Sequence, residues 1–195
     1  MTSDYLEKAY TPIRLRGLQL RNRFIKSATY EGMTDGGYPT PLLIELHGRL
    51  AQVGVGLTTF AYGAVSPEGR TNRQQLLIGD RVASYASELT TAIHSQGGKC
   101  MLQLTHCGYF TKNQDLRFKR SLGPSARINL YGILGGIIMS RSMTREEMRG
   151  MAKNFADAAA FAQRRGFDAV EIHMGHGYLL SQFLSPRINK RKDNY

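Results

Sequence analysis

His173, His176 and Tyr178 lie close together in the stretch Phe167-Asp168-Ala169-Val170-Glu171-Ile172-His173-Met174-Gly175-His176-Gly177-Tyr178. Two imidazoles and a phenol can ligate metals, donate hydrogen bonds and carry protons. Residues 169–173 alternate, with Val170 and Ile172 pointing one way and Ala169, Glu171 and His173 the other, which predicts a short strand. A glutamate on the inner face of a strand is unusual in a plain core, because a buried charge needs a partner. A barrel with a polar ligand-binding end tolerates it. By pattern alone the histidines and tyrosine are either a working site or a polar strand end satisfied by local backbone. A metal-dependent hydrolase would draw on His106, His173, His176 and Glu171. His-x-x-His on a strand end is poor ligand spacing, and no carboxylate cluster accompanies it, so no metal site is expected.

The elements that must position these groups follow an alternating order. Residues 1–10 read as an extended lead-in. Residues 12–20 alternate around Gly17 and predict a β-hairpin. Asn22 to Thr29 reads as a first buried strand. Thr40-Pro41 has the form of a helix start, and Leu43, Leu46, Leu50 and Val53 recur as the apolar face of that helix. Val55 to Tyr62 reads as a second strand and Val82 to Ser95 as a second helix, closed by Gly97-Gly98. In the third strand, Lys99 to Thr105, Gln103 falls on the same kind of inner face as Glu171 and His173. Residues 107–143 form a long connection with an apolar patch at Ile133 to Met139, read as a packed loop in preference to a lid or dimer contact. Thr144 and Glu147 make a capping box for a helix to about Arg165, with Met148, Met151, Phe155, Ala158 and Ala162 buried. The order βαβαβαβ implies parallel strands with helical crossovers. No GxGxxG follows the first strand and no Walker A motif occurs, which weakens a doubly wound nucleotide fold.

The chain has 195 residues, 42% of them hydrophobic, enough for a single domain with a substantial core. It is short for a closed (β/α)8 barrel, which needs about 250 residues. No apolar run reaches transmembrane length, and the N-terminus lacks the pattern of a signal peptide, so no membrane partner is expected. Cys100 and Cys107 form neither a CxxC motif nor a disulfide framework, which makes a reducing, cytoplasmic compartment the default. The net charge of +11 comes from basic residues spread along the chain, with no recognition-helix or RNP-type pattern, so no nucleic-acid partner is expected.

Four stretches, in order at strand ends, resemble the Old Yellow Enzyme family of FMN-dependent oxidoreductases. They are Asn22 to Thr29; Ala64-Val65-Ser66-Pro67-Glu68-Gly69-Arg70; Gly97-Gly98-Lys99 through Gln103-Leu104-Thr105-His106; and His173 to Tyr178 through Ser185-Pro186-Arg187-Ile188-Asn189. The resemblance implies an α/β fold of the TIM (β/α)8 barrel family, with FMN at the mouth, NADH or NADPH as reductant and a small activated alkene, such as an α,β-unsaturated carbonyl, as substrate. It implies that His173 and His176 hold the substrate's carbonyl oxygen, that Tyr178 protonates the α-carbon, and that Gln103 binds the flavin ring. Ser27, Ala28 and Thr29 would line the flavin, with Tyr62 and Gly63 approaching it, the glycine permitting close backbone approach.

Two departures qualify this. His106-Cys107-Gly108 is followed by Tyr109 where the family often has arginine. Family members also continue for well over a hundred residues beyond the match. The expectation is therefore a truncated half-barrel of about four βα units, a single domain over residues 1–195 with an N-terminal hairpin. Open strand edges would make it marginally stable, weaken FMN binding, and favour a homo-oligomer or a complementing chain. A non-catalytic association module is the alternative function.

Overall fold

The strands that the alternation predicts do form. The computed structural model describes residues 3–116 and 120–195. In chain order the elements are α1 (Ser3–Tyr10), β1 (Ile13–Leu15), β2 (Leu18–Leu20), β3 (Ile25–Lys26), β4 (Thr34–Asp35), β5 (Tyr38–Pro39), α2 (Pro41–Gln52), β6 (Leu57–Ala64), α3 (Ala83–His94), β7 (Lys99–Thr105), β8 (Ser121–Gly123), β9 (Ser140–Ser142), α4 (Arg145–Arg164), β10 (Ala169–Ile172) and α5 (Leu179–Leu184). The main sheet is parallel with spatial order β10-β7-β6-β3. Spatial order follows chain order without reversal, as in a barrel wall and unlike a doubly wound sheet.

One face of this sheet carries the core. Phe60, Cys100, Leu102 and Leu104 pack with Leu43 and Ala51 of α2, Leu89 and Ile93 of α3, and Ala158, Phe161 and Ala162 of α4. On the other face, Ile25, Leu57, Met101 and Ala169 line a cavity of about 950 Å³ together with the β1–β2 hairpin. The capping box starts α4 as expected, with Glu147 N–H donating to Thr144 Oγ1 at 3.1 Å and Thr144 N–H to Glu147 Oε2 at 2.9 Å.

Several expectations are corrected. Residues 3–10 are helical; the stretch has no glycine or proline, and its last carbonyls are taken up by Thr11 and Arg23. Residues 1 and 2 lie outside the described residues. Only Ile25–Lys26 pairs in the first strand, because Asn22 bends the backbone by accepting from Phe24 N–H at 3.1 Å. Thr40 takes the N-cap position of α2 with Pro41 at its first residue, as expected, but its hydroxyl donates to Met33 O at 3.0 Å and caps no helix N–H. The buried face of α2 is Leu43, His47 and Ala51, while Val53 is exposed. β6 begins at Leu57, since Val55 N–H still closes α2 by donating to Leu50 O at 3.0 Å. Within the long connection, β8 and β9 pair in parallel.

Candidate active site

Gln103 and Glu171 are register partners on β7 and β10. The Gln103 amide Nε2 donates to Glu171 Oε1 at 2.6 Å. The inward glutamate therefore has a neutral partner. The nearest basic residue of the first strand, Lys26, is not that partner: it sits on the helix-facing side and pairs with Glu31.

Beyond β10 the chain turns sharply. His173 N–H still donates to Leu104 O at 2.9 Å, and Tyr178 N–H donates to Gly175 O at 3.1 Å. His176 has φ +56° and Gly177 φ +70°, so two consecutive residues are left-handed. That conformation is uncommon for a histidine and swings Tyr178 back towards His173. The rings of His173 and His176 meet edge to face at 5.0 Å, and those of His173 and Tyr178 at 4.9 Å. Gly175 N–H donates to His173 Nδ1 at 3.3 Å, which leaves the proton of the neutral ring on Nε2. Burial, then the neighbouring His176, lowers the His173 pKa, and Glu171 partly opposes this. The neutral imidazole is thus a hydrogen-bond donor through Nε2.

Tyr178 is half-buried, and burial followed by the nearby Tyr62 raises its phenol pKa well above the usual value. Tyr62 stacks on it at 6.3 Å between ring centres. A bulge in β6 aims Tyr62. The register steps from Phe60↔Leu102 to Gly63↔Leu104, one extra residue on β6. Phe60 and Gly63 therefore both face the helices, and Tyr62 is released to the other side. The Tyr62 hydroxyl lies 2.9 Å from Thr71 Oγ1. Gly63 serves packing: a Cβ there would lie 2.6 Å from the Ile78 side chain.

Gln182 of α5 holds the turn. Fully buried, it donates through Nε2 to Cys107 O at 2.9 Å and Gly177 O at 2.6 Å, and accepts from Tyr109 N–H at 3.2 Å. Leu179 N–H donates to His106 O at 2.9 Å. These bonds tie the ends of β7 and β10 together just beside Tyr178.

The structure gathers His173, His176, Tyr178 and Tyr62 into one cluster, with Gln103 joined through Glu171. Ser27, Ala28 and Thr29 lie just beyond β3. Ser27 and Thr29 are exposed, and the Thr29 hydroxyl donates locally to Ser27 O at 3.4 Å. Tyr30 connects that loop to the cluster, its ring 5.7 Å from Tyr62. Sequence reasoning missed Tyr30, Phe110, Tyr131 and Gln182. Phe110 stacks on Tyr131 at 4.3 Å and lies 6.2 Å from Tyr178. Aromatic residues in the long connection were a signal, as was a glutamine inside the apolar run Leu179 to Leu184. His106 is buried with its Nδ1 accepting from Gly108 N–H at 2.9 Å, and burial lowers its pKa to about 4. It does not join His173, His176 and Glu171 in a ligand set; among the described residues, the three-residue ligand cluster is His94, Cys100 and Asp168, which belongs to the other end of the strands.

Comparison with known proteins gives this geometry a family. The chain is 38% identical to 4,4'-dithiodibutanoate disulfide reductase of Rhodococcus erythropolis, over all of this chain and 47% of that protein. It is 32% identical to NADPH dehydrogenase of Bacillus subtilis strain 168, over 96% of this chain and 54% of that one. Among solved structures, Old Yellow Enzyme from Pichia sp. AKU4542 superposes with a TM-score of 0.88 at 25% identity, covering 95% of this chain and 50% of that one. Morphinone reductase in complex with tetrahydroNAD gives 0.86 at 26% identity, covering 96% and 55%. The chain spans about half the length of the curated relatives it matches. The sheet and its helices accordingly form part of an α/β barrel of the TIM type. The family model for the NADH:flavin oxidoreductase / NADH oxidase family matches residues 8–195, and the chain belongs to that family.

Proposed function

We propose that this chain carries the substrate-side wall of an FMN-dependent reductase that uses NADH or NADPH to reduce activated C=C bonds, as in α,β-unsaturated carbonyls. The observation that carries the reading is the convergence of the His173, His176 and Tyr178 rings at the end of β10. Gly175 leaves His173 with an Nε2–H donor, and Tyr178 stays a protonated phenol.

The residues present fit one edge of a flavin ring. The Gln103 amide is oriented by Glu171, which leaves its oxygen to accept from a ring N–H, and the exposed Ser27 and Thr29 hydroxyls with the Ala28 backbone stand beyond the end of β3, two strands across the sheet. FMN, when bound and reduced, supplies the hydride. His173 and His176 donate hydrogen bonds to the carbonyl oxygen of the alkene and stabilise the negative charge that develops there. Tyr178 delivers a proton to the α-carbon. Tyr62, stacked on Tyr178, limits its motion and its access to water.

In this reading residues 1–195 act as one unit, the N-terminal part of the barrel wall, completed by further polypeptide in the same or a complementing chain. The open edges of β3 and β10 support it. Alone, the 195-residue chain should hold FMN weakly. Two free, buried cysteines accord with a reducing cytoplasmic setting.

The test is NADPH consumption by the FMN-loaded protein with a simple enone. Enone-dependent turnover supports the reading. Bound flavin that is reduced by NADPH yet transfers nothing to enones, while reducing an aliphatic disulfide, would replace it with disulfide reduction.

A further inference from the structure

At the end of the sheet opposite the tyrosines, three ligand atoms converge. His94 Nε2 lies 2.8 Å from Asp168 Oδ2, and Cys100 Sγ lies 3.8 Å from His94 Nε2 and 3.6 Å from Asp168 Oδ2. His94 is the last residue of α3, Cys100 is the second residue of β7 and Asp168 immediately precedes β10. None of the three takes part in the chemistry at the mouth.

We propose that His94, Cys100 and Asp168 form a structural site for a divalent zinc-like cation, with water as the fourth ligand. Nitrogen, sulfur and carboxylate oxygen are the donor types that zinc combines. Tetrahedral zinc with ordinary bond lengths sets N···O at about 3.3 Å and S···N and S···O at about 3.5 Å. The observed triangle lies within about half an ångström of this. Binding breaks the Cys100 S–H bond and releases that proton to solvent. The His94 proton that bridges Nε2 to Asp168 in the metal-free chain shifts through solvent to Nδ1, freeing Nε2 to ligate, and no electron moves. Thiolate and carboxylate then balance the cation's charge.

The surroundings suit the role. Asp168 is already held by Lys99 Nζ on Oδ1 at 2.8 Å and by Cys100 N–H on Oδ2 at 2.9 Å. Such outer partners fix ligand geometry in metal sites. Cys100 is fully buried, whereas the His94 side chain is 38% exposed, which gives the cation a way in and room for water. The bound cation would staple α3 to the starts of β7 and β10, at the end of the strands where barrels place stability rather than catalysis.

Cobalt(II) alone, added to the chelator-stripped 195-residue chain under a phosphine reductant, is the probe. The expected result is one equivalent bound, with an intense thiolate-to-cobalt band in the near ultraviolet and a rise in melting temperature on replacement by zinc. The band should survive Cys107→Ser and vanish in Cys100→Ser. His94→Gln should weaken cobalt binding at least tenfold while leaving the circular dichroism unchanged. This half-exposed position keeps the test decisive even if Cys100→Ser does not fold. Absence of the band in the parent, a band that follows Cys107, or undiminished affinity in His94→Gln overturns the proposal and leaves a purely hydrogen-bonded hub.

Discussion

The amide of Gln103 and the carboxylate of Glu171 face each other across adjacent parallel strands, 2.6 Å apart. Gln103 is buried and Glu171 half-buried, so the bond orients an amide that would otherwise turn freely in the inner wall. Glu171→Ala leaves a buried N–H without its acceptor and should lower the urea unfolding free energy by about 1–3 kcal/mol. Glu171→Gln keeps an acceptor and should lose less than half of that. Equal losses in the two variants would show that this hydrogen bond is not what holds the wall together.

Tyr178→Phe removes the proposed acidic proton and keeps the ring that packs on Tyr62. Alkene reduction should slow by about 100-fold or more, in the range for loss of a general acid. Flavin reduction by NADPH, which needs no proton from Tyr178, should change little. Stopped-flow measurement of the two half-reactions decides, and an equal loss in both would remove Tyr178 from the role.

Much of this was legible from residue order. Alternation in 99–105 and 169–173 places Gln103 and Glu171 on one face, and Thr144 with Glu147 marks the start of α4. What alternation hides is the β6 bulge: a strict period of two puts Tyr62 with Phe60 among the helices, whereas the extra residue turns it to the mouth. The buried face of α2 is missed because His47 does not count as apolar, yet it is fully buried against Phe60. Phe110, Tyr131 and Gln182 reach Tyr178 only through tertiary folding, and no local periodicity encodes that.

His47 links stability to pH. Neither of its ring nitrogens has a hydrogen-bond partner, and burial, then the nearby Lys26, lowers its pKa from 6.5 to about 4. The unfolded chain therefore binds the proton more readily than the folded one between those values. The stabilisation is fully present above pH 6.5 and is lost as pH falls towards 4, by up to about 3 kcal/mol. Urea titrations across that window should show the loss, and His47→Leu should flatten it. An unchanged slope in the variant would place the acid sensitivity elsewhere, His106 being the next group to test.

The edges of the main sheet invite association. Among the described residues β3 and β10 each pair on one side only, and Ile25, Val170 and Ile172 are 46, 37 and 44% exposed. Unpaired edges with apolar neighbours template strand addition. Purified alone, the 195-residue chain should show a mass that rises with concentration in sedimentation equilibrium. Ile172→Lys places a charge on the edge and should lower that mass. A concentration-independent monomer in the parent would refute the idea.

Gly108 tests whether the turn beneath Tyr178 positions it. Gly108 has φ +65°, and a Cβ there would lie 2.1 Å from Gln182 Oε1. Alanine must therefore displace the glutamine that ties Cys107 to Gly177, and its backbone is strained as well. Gly108→Ala should destabilise the fold by about 1–2 kcal/mol, and alkene reduction by the FMN-loaded protein should fall by more than the folded fraction accounts for. Pairing it with Gln182→Ala separates the two effects. If Gln182 is the link, Gln182→Ala should reproduce the loss in alkene reduction, and adding Gly108→Ala to it should cost little more. Additive losses would mean that the glycine acts through backbone strain alone, and that the glutamine does not set the position of Tyr178.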